Sequence, residues 1–157
     1  MSVKIGDHIP SFSLEATSNL TITEQAFQGQ YTILYFYPKD NTPGCTNEGL
    51  DFTEIYATFQ TLNTQIFGAS KDSLKKHENF KTKHNFPFEL ICDDSEVLCQ
   101  LFDVIKLKKN YGREYLGIER STFLIDPNGK LVYEWRKVRV KDHATDVLVQ
   151  LRQLQTQ

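Results

Sequence analysis

An α/β domain built on a mixed central β-sheet flanked by helices is the fold class this sequence predicts, on three observations. Residues 31–37, Tyr-Thr-Ile-Leu-Tyr-Phe-Tyr, form an almost unbroken β-branched and aromatic run, the pattern of a strand buried on both faces. Short apolar runs then alternate with helix-periodic stretches, as strands joined by helices require. Near the end, Asp126-Pro127-Asn128-Gly129 lies between two apolar runs and marks a hairpin turn. At 157 residues the chain fits one domain, 1–157, with room for a real core.

The elements follow in order. Phe12-Ser13-Leu14, a break at Asn19 and Leu20-Thr21-Ile22 predict an N-terminal extension holding a small hairpin. The strand 31–37 stops at Pro38-Lys39-Asp40-Asn41-Thr42-Pro43-Gly44, a run of turn residues. A long helix is predicted next, with Phe52, Ile55, Tyr56, Phe59 and Leu62 on one apolar face. Residues 65–69 are a second strand, and Asp72 or Ser73 can cap a helix in which Leu74, His77 and Phe80 share a face. After Pro87, a strand at 88–91 and a short helix at 95–102 make an inserted β-α element. Residues 106–117 are polar and basic and predict a solvated loop. The hairpin strands are 121–125 and 131–135, with Trp135 packing on the sheet. Ala144, Val147, Leu148, Leu151 and Leu154 define a final amphipathic helix. A strand-helix-strand-helix half followed by a hairpin and a helix is the order of the thioredoxin-like fold.

Composition removes several function classes. A net charge of −2 and a pI near 6.1 give no basic footprint for nucleic acid. No apolar run approaches the roughly 20 residues of a membrane span. The N-terminus has no apolar stretch of signal-peptide length, so a cytoplasmic location is expected. Three cysteines is an odd count for a closed disulfide framework, and each must be read as core filler, ligand or reactive thiol. The four histidines are scattered, His84 and His143 are expected at the surface, and C-x-x-C spacing is absent. No metal site and no cofactor are therefore expected.

The chemistry is concentrated at Cys45, where a buried strand hands over to a helix. A cysteine near a helix start is more often small apolar filler than a nucleophile. The flanking residues alter that balance. The positive end of a helix favours a thiolate, Thr42 adds a hydroxyl three residues earlier, and Pro38 and Pro43 stiffen the loop. Pro38-x-x-x-Thr42-x-x-Cys45 after an aromatic strand is the active-site signature of the peroxiredoxins. The run from Phe36 to Glu48 closely resembles the bacterioferritin-comigratory-protein (PrxQ-like) branch. The resemblance extends over nearly the whole chain, through Gly6-Asp7, Gly68-Ala69-Ser70-Lys71-Asp72 and Arg120-Ser121-Thr122-Phe123-Leu124-Ile125-Asp126.

That resemblance implies a thiol-dependent peroxidase reducing hydrogen peroxide and organic hydroperoxides. Cys45 would be the peroxidatic thiol that becomes a sulfenic acid, and Thr42 the hydroxyl beside thiolate and peroxide. Arg120 would be the guanidinium next to the sulfur, and Pro38 the shield against water. The backbone N–H groups of Gly44 and Cys45 would donate to the peroxide. Glu48, one turn on, is read equally as a carboxylate orienting Arg120 and as a simple first-turn acid. The partners implied are a peroxide and thioredoxin, glutaredoxin or a small thiol, the protein acting as a monomer or weak dimer.

The chain departs from the branch pattern in one respect. Many members carry a resolving cysteine five residues after the first, where Leu50 stands here, and others carry it on the helix after the second strand, which has none here. Cys92 and Cys99 are read first as buried filler. The expectation is thus a one-cysteine mechanism with an external thiol, and the alternative is an internal bridge from Cys45 to Cys92 or Cys99. Two other functions compete. A thioredoxin-like disulfide oxidoreductase fails for want of C-x-x-C and of a proline before the strand at Ser121. A peroxide sensor or redox relay of the same fold shares the first chemical step and differs only in turnover.

Overall fold

All but the first residue of Tyr31–Phe36 (β3) is buried, because the strand runs through the middle of a sheet covered on both faces. The computed structural model describes residues 2–156. The other strands of this sheet are Ser13–Ala16 (β1), Leu20–Thr23 (β2), Thr64–Ser70 (β4), Glu89–Cys92 (β5), Ser121–Ile125 (β8) and Leu131–Trp135 (β9). They lie in the order β2-β1-β5-β4-β3-β8-β9. β3, β4 and β5 are parallel, and β1, β2, β8 and β9 pair antiparallel to their neighbours. The N-terminal hairpin and the thioredoxin-like order are as the sequence predicts.

Strand alternation divides the core into two layers. Leu34, Phe36, Phe67, Ile91 and Phe123 point to one side, where Phe12, Phe27, Leu98 and Phe102 cover them. Ile33, Tyr35, Tyr37, Ile66 and Leu90 point to the other, against Phe52, Phe59, Phe80, Val147 and Leu151. The second layer therefore takes four helices: Pro43–Glu54 (α1), Tyr56–Thr61 (α2), Leu74–His84 (α3) and His143–Gln155 (α5). Val97–Leu101 (α4) and the N-terminal segment cover the first. Phe52 is fully buried and stacks on Tyr35 at 5.0 Å between centroids, so truncating it to alanine costs about 3–5 kcal/mol.

The single long helix expected after the loop is two. Ile55 leaves helical geometry at φ −111°, ψ 14°, and α2 restarts one residue later. Just before the break, the Thr53 hydroxyl donates back to the Gly49 carbonyl at 2.7 Å, a bond that bends helices. The polar stretch 106–117 is not a loop. Ile105–Asn110 (β6) and Arg113–Ile118 (β7) form an antiparallel ribbon outside the main sheet. Tyr111 and Gly112 turn it at φ 53° and 77°, the positive pair that a two-residue hairpin turn needs. Leu107 faces Leu116 across the ribbon with both side chains exposed, so burial gave the sequence no clean alternation to display.

Candidate active site

The parallel strands β3, β4 and β5 end on the same edge of the sheet, and the segment 38–42 crosses that edge to start α1. Thr42 is the N-cap residue, Pro43 opens the helix, and Cys45 is its third residue. No side chain caps this N-terminus and its first turn carries no acid. The amide end therefore faces the site with its positive dipole uncompensated.

Cys45 is buried, only 2% exposed, in the layer of Tyr35 and Phe52. Arg120, immediately before β8, reaches over from the neighbouring strand. Its Nη2 donates to Cys45 Sγ at 3.5 Å, and its Nη1 donates to Glu48 Oε1 at 2.6 Å. The same Nη2 lies so close to Gly44 that a Cβ there would meet it at 3.2 Å. The sulfur, the guanidinium and the first-turn backbone are thus one assembly. Glu48 is fully buried, and burial pushes its carboxyl up to about 7 against the opposing pull of Arg120. Burial lowers the Arg120 guanidinium, but the Glu48 carboxylate and the Cys45 sulfur outweigh it and raise its affinity for the proton. Glu48 thus lies beyond the first turn of α1 and in contact with Arg120.

Pro38, Thr42, Gly44, Cys45, Glu48 and Arg120 are all brought to this edge, with two differences in detail. The Thr42 hydroxyl donates to the Lys39 carbonyl at 2.8 Å rather than to the Cys45 sulfur. Pro38 is exposed to solvent. One turn beyond Cys45, Gly49 sits under the Phe86 ring, where a Cβ would come within 2.5 Å of Cζ.

Cys92 and Cys99 are free and buried, as is Cys45. Cys99 belongs to the layer on the far side of the sheet. Burial and the adjacent Asp93 carboxylate push its thiol far up. Cys92 ends β5 two residues after Leu90, so it shares the face of Cys45; its Sγ donates to the Asp72 carbonyl at 3.4 Å, and burial raises it also.

Sequence reasoning placed His143 at the surface, and the structure corrects this. His143 is 5% exposed, wedged between Phe52 and Trp135, and its Nε2 meets the Thr122 hydroxyl at 2.8 Å. Burial lowers it to about 4. His77 is fully buried beside Asp40. Neither Asp40 nor His77 was singled out from the sequence. An acid inside a proline-bounded loop next to a strand tyrosine was the available signal. Asp40, Asp72 and His77 gather carboxylate and imidazole atoms within 4.8 Å of one another, and these atoms are engaged in hydrogen bonds within the cluster and to its neighbours.

Comparison with known proteins agrees with this geometry. The model of the AhpC/TSA family matches residues 5–134. Peroxiredoxin Bcp of Bacillus subtilis is 50% identical over 154 residues, 98% of each chain. The bacterioferritin comigratory protein of Xanthomonas campestris, whose structure was solved in work on its alkyl peroxide reduction activity, superposes with a TM-score of 0.86 at 47% identity over 90% of each chain. A cysteine-to-serine mutant of Xylella fastidiosa PrxQ superposes with a TM-score of 0.92 at 41% identity over 98% of each chain.

Proposed function

Because the chain belongs to the AhpC/TSA family, and within it to the Bcp/PrxQ peroxiredoxins, which are thiol-dependent peroxidases, we propose that Cys45 is its peroxidatic residue and Arg120 and Glu48 its electrostatic support. The observation that carries this assignment is the continuous contact from Cys45 Sγ through Arg120 to Glu48 at an uncapped helix start. The Cys45 thiolate attacks the terminal oxygen of a hydroperoxide, the S–O bond forms as the O–O bond breaks, and the alkoxide or hydroxide leaves and takes up a proton. Arg120 and the Gly44 and Cys45 amides lower the barrier by meeting the charge that develops on the oxygens. Pro38 walls the loop side, and Thr42 acts on peroxide by a rotation of its hydroxyl away from Lys39.

The sulfenic acid is then reduced from outside. One thiol condenses with it, releasing water and leaving a mixed disulfide; a second thiol then attacks the sulfur of the first, the two leave joined as a disulfide, and Cys45 departs as its thiolate. Thioredoxin, glutaredoxin and a small thiol all supply that chemistry. The external route is supported by Leu50, partly exposed on α1 where a nearby thiol would sit, and by Cys99 being buried across the sheet. The second reading, an internal bridge, is favoured for Cys92 by its place on the Cys45 face. Mass analysis after one equivalent of peroxide tests both. A gain of one oxygen on the Cys45 peptide is expected. A Cys45–Cys92 disulfide in high yield would replace the external route, and an unmodified Cys45 with oxidation elsewhere would overturn the assignment.

A further inference from the structure

The segment 38–42 that delivers Cys45 to its site has few ties to the protein. The side-chain and backbone hydrogen bonds that leave it for elements other than α1 all pass through Asp40, among the described residues. Asp40 N–H donates to Asp72 Oδ2 at 2.8 Å, and the same carboxylate oxygen accepts from the Ser70 hydroxyl at 2.9 Å. Asp40 Oδ1 accepts from the Tyr37 hydroxyl at 2.6 Å. Asp40 Oδ2 lies 2.6 Å from His77 Nδ1, with the two side chains 1% and 0% exposed.

His77 completes the arrangement from α3. Its Nε2 is 3.0 Å from the Ile91 carbonyl oxygen, which can only accept, so a proton lies on Nε2. Its Nδ1 faces a carboxylate oxygen, so a proton lies in that contact as well. The imidazole therefore bridges the active-site loop to the backbone of β5 with a proton in each contact. Tyr37, Asp72 and Asp40 are the ionisable groups that meet the ring or its partner, and none of them is cationic. Opening this pair leaves charged or polar groups buried without partners, a costly state, so the loop has one well-defined closed position.

We propose that the buried Asp40–His77 pair is the pin that holds the 38–42 segment closed over the site for attack on peroxide, and that its release is the step that presents the Cys45 sulfenic acid to an external thiol. The proposal rests on Cys45 being the peroxidatic residue. Asp40 and His77 are positioning residues, since neither touches the sulfur.

The test compares two near-isosteric variants in the two half-reactions, measured separately by rapid mixing. His77→Asn keeps a donor where Nδ1 meets Asp40, and His77→Gln keeps one where Nε2 meets Ile91. With a pinned loop, His77→Gln slows oxidation of Cys45 by peroxide about tenfold. It speeds reduction of the preformed sulfenic acid by dithiothreitol several-fold, and His77→Asn stays near wild type in both. Equal effects of the two variants, or a parallel fall in both half-reactions, would overturn the proposal. In the wild-type protein, the two His77 ring protons should exchange with solvent at the same rate as the Asp40 amide, because one opening releases all three. A difference of more than tenfold would overturn it without any variant. Cys45→Ser is carried through the same assay. Peroxide consumption surviving in that variant defeats the peroxidase assignment itself, whereas an inert Cys45→Ser beside a wild-type-like His77→Gln defeats only the pin.

Discussion

Cys45 and Cys99 make an instructive pair, because local sequence position treats them alike and their surroundings treat them oppositely. Each is a buried free thiol and the third residue of a helix. At α1 the amide end is uncapped, and a guanidinium stands 3.5 Å from the sulfur. At α4 the Asp93 carboxylate already occupies the amide end, accepting from Leu98 N–H at 2.9 Å and Cys99 N–H at 2.7 Å. The amide end that is left open at Cys45 is occupied at Cys99 by a neighbouring anion, which repels a second. On the proposed assignment, the helix N-terminus suits a reactive cysteine at α1, where no other anion is seated on it and a cation stands on the other side.

The largest expected effect breaks this comparison outright. Cys45→Ser should lower peroxide reduction by on the order of 10³-fold or more, and Cys99→Ser should leave the first oxidation step within about twofold; stopped-flow oxidation with each variant reads both. Arg120→Met comes next. It removes the cation that distinguishes the sites and should slow Cys45 oxidation about 10²–10³-fold, seen as the second-order rate with hydrogen peroxide.

Acid and base act in opposite directions on two groups of the Cys45 side through stability, measured as urea midpoints against pH. His143 near α1 sits at about 4 when folded against 6.5 unfolded, so the unfolded chain takes the proton first. Stability should fall as pH drops from about 6.5 to 4, by up to about 3 kcal/mol, and His143→Gln should remove that fall. Glu48 acts with the opposite sign. At about 7 folded against 4.5 unfolded, it favours the folded state in acid, so its contribution is lost as pH rises from 4.5 through 7. Glu48→Gln should flatten that part of the profile. The smallest effect belongs to the inert thiol's neighbour. Asp93→Ala should cost about 1–2 kcal/mol through the lost cap while peroxide attack at Cys45 proceeds at the wild-type rate, which thermal unfolding alongside the oxidation assay will show.

Much of this contrast was legible in the residues, and its other half was not. Pro38, Thr42, Cys45 and Glu48 lie within eleven positions, and Arg120 opens a strand whose residues are all buried, so motif and pattern sufficed. The strands β3, β4, β8 and β9 were readable because burial dictates their composition. The ribbon β6–β7 was not, because solvent reaches both of its faces and alternation carries no burial signal there. The helix break at Ile55 depends on one hydroxyl turning back on a carbonyl. His143 reads as a surface residue and His77 only as part of a helix face, because their polar partners, Thr122 and Asp40, are 21 and 37 positions away. Long-range pairing of polar groups is the part of a fold that spacing along the chain does not encode.

The glycine under the Phe86 ring has a mechanical consequence. With no room for a Cβ between α1 and that ring, only glycine lets the helix pack so closely there. Unwinding that begins at Thr42 is expected to stop at this contact. Cys45 lies four positions from Gly49, and a fully extended chain spans roughly 3.5 Å per residue, so unwinding up to that contact carries the Cys45 Cα no more than about 14 Å from it. On the external route proposed above, the reductant would meet the sulfur within that reach of Gly49.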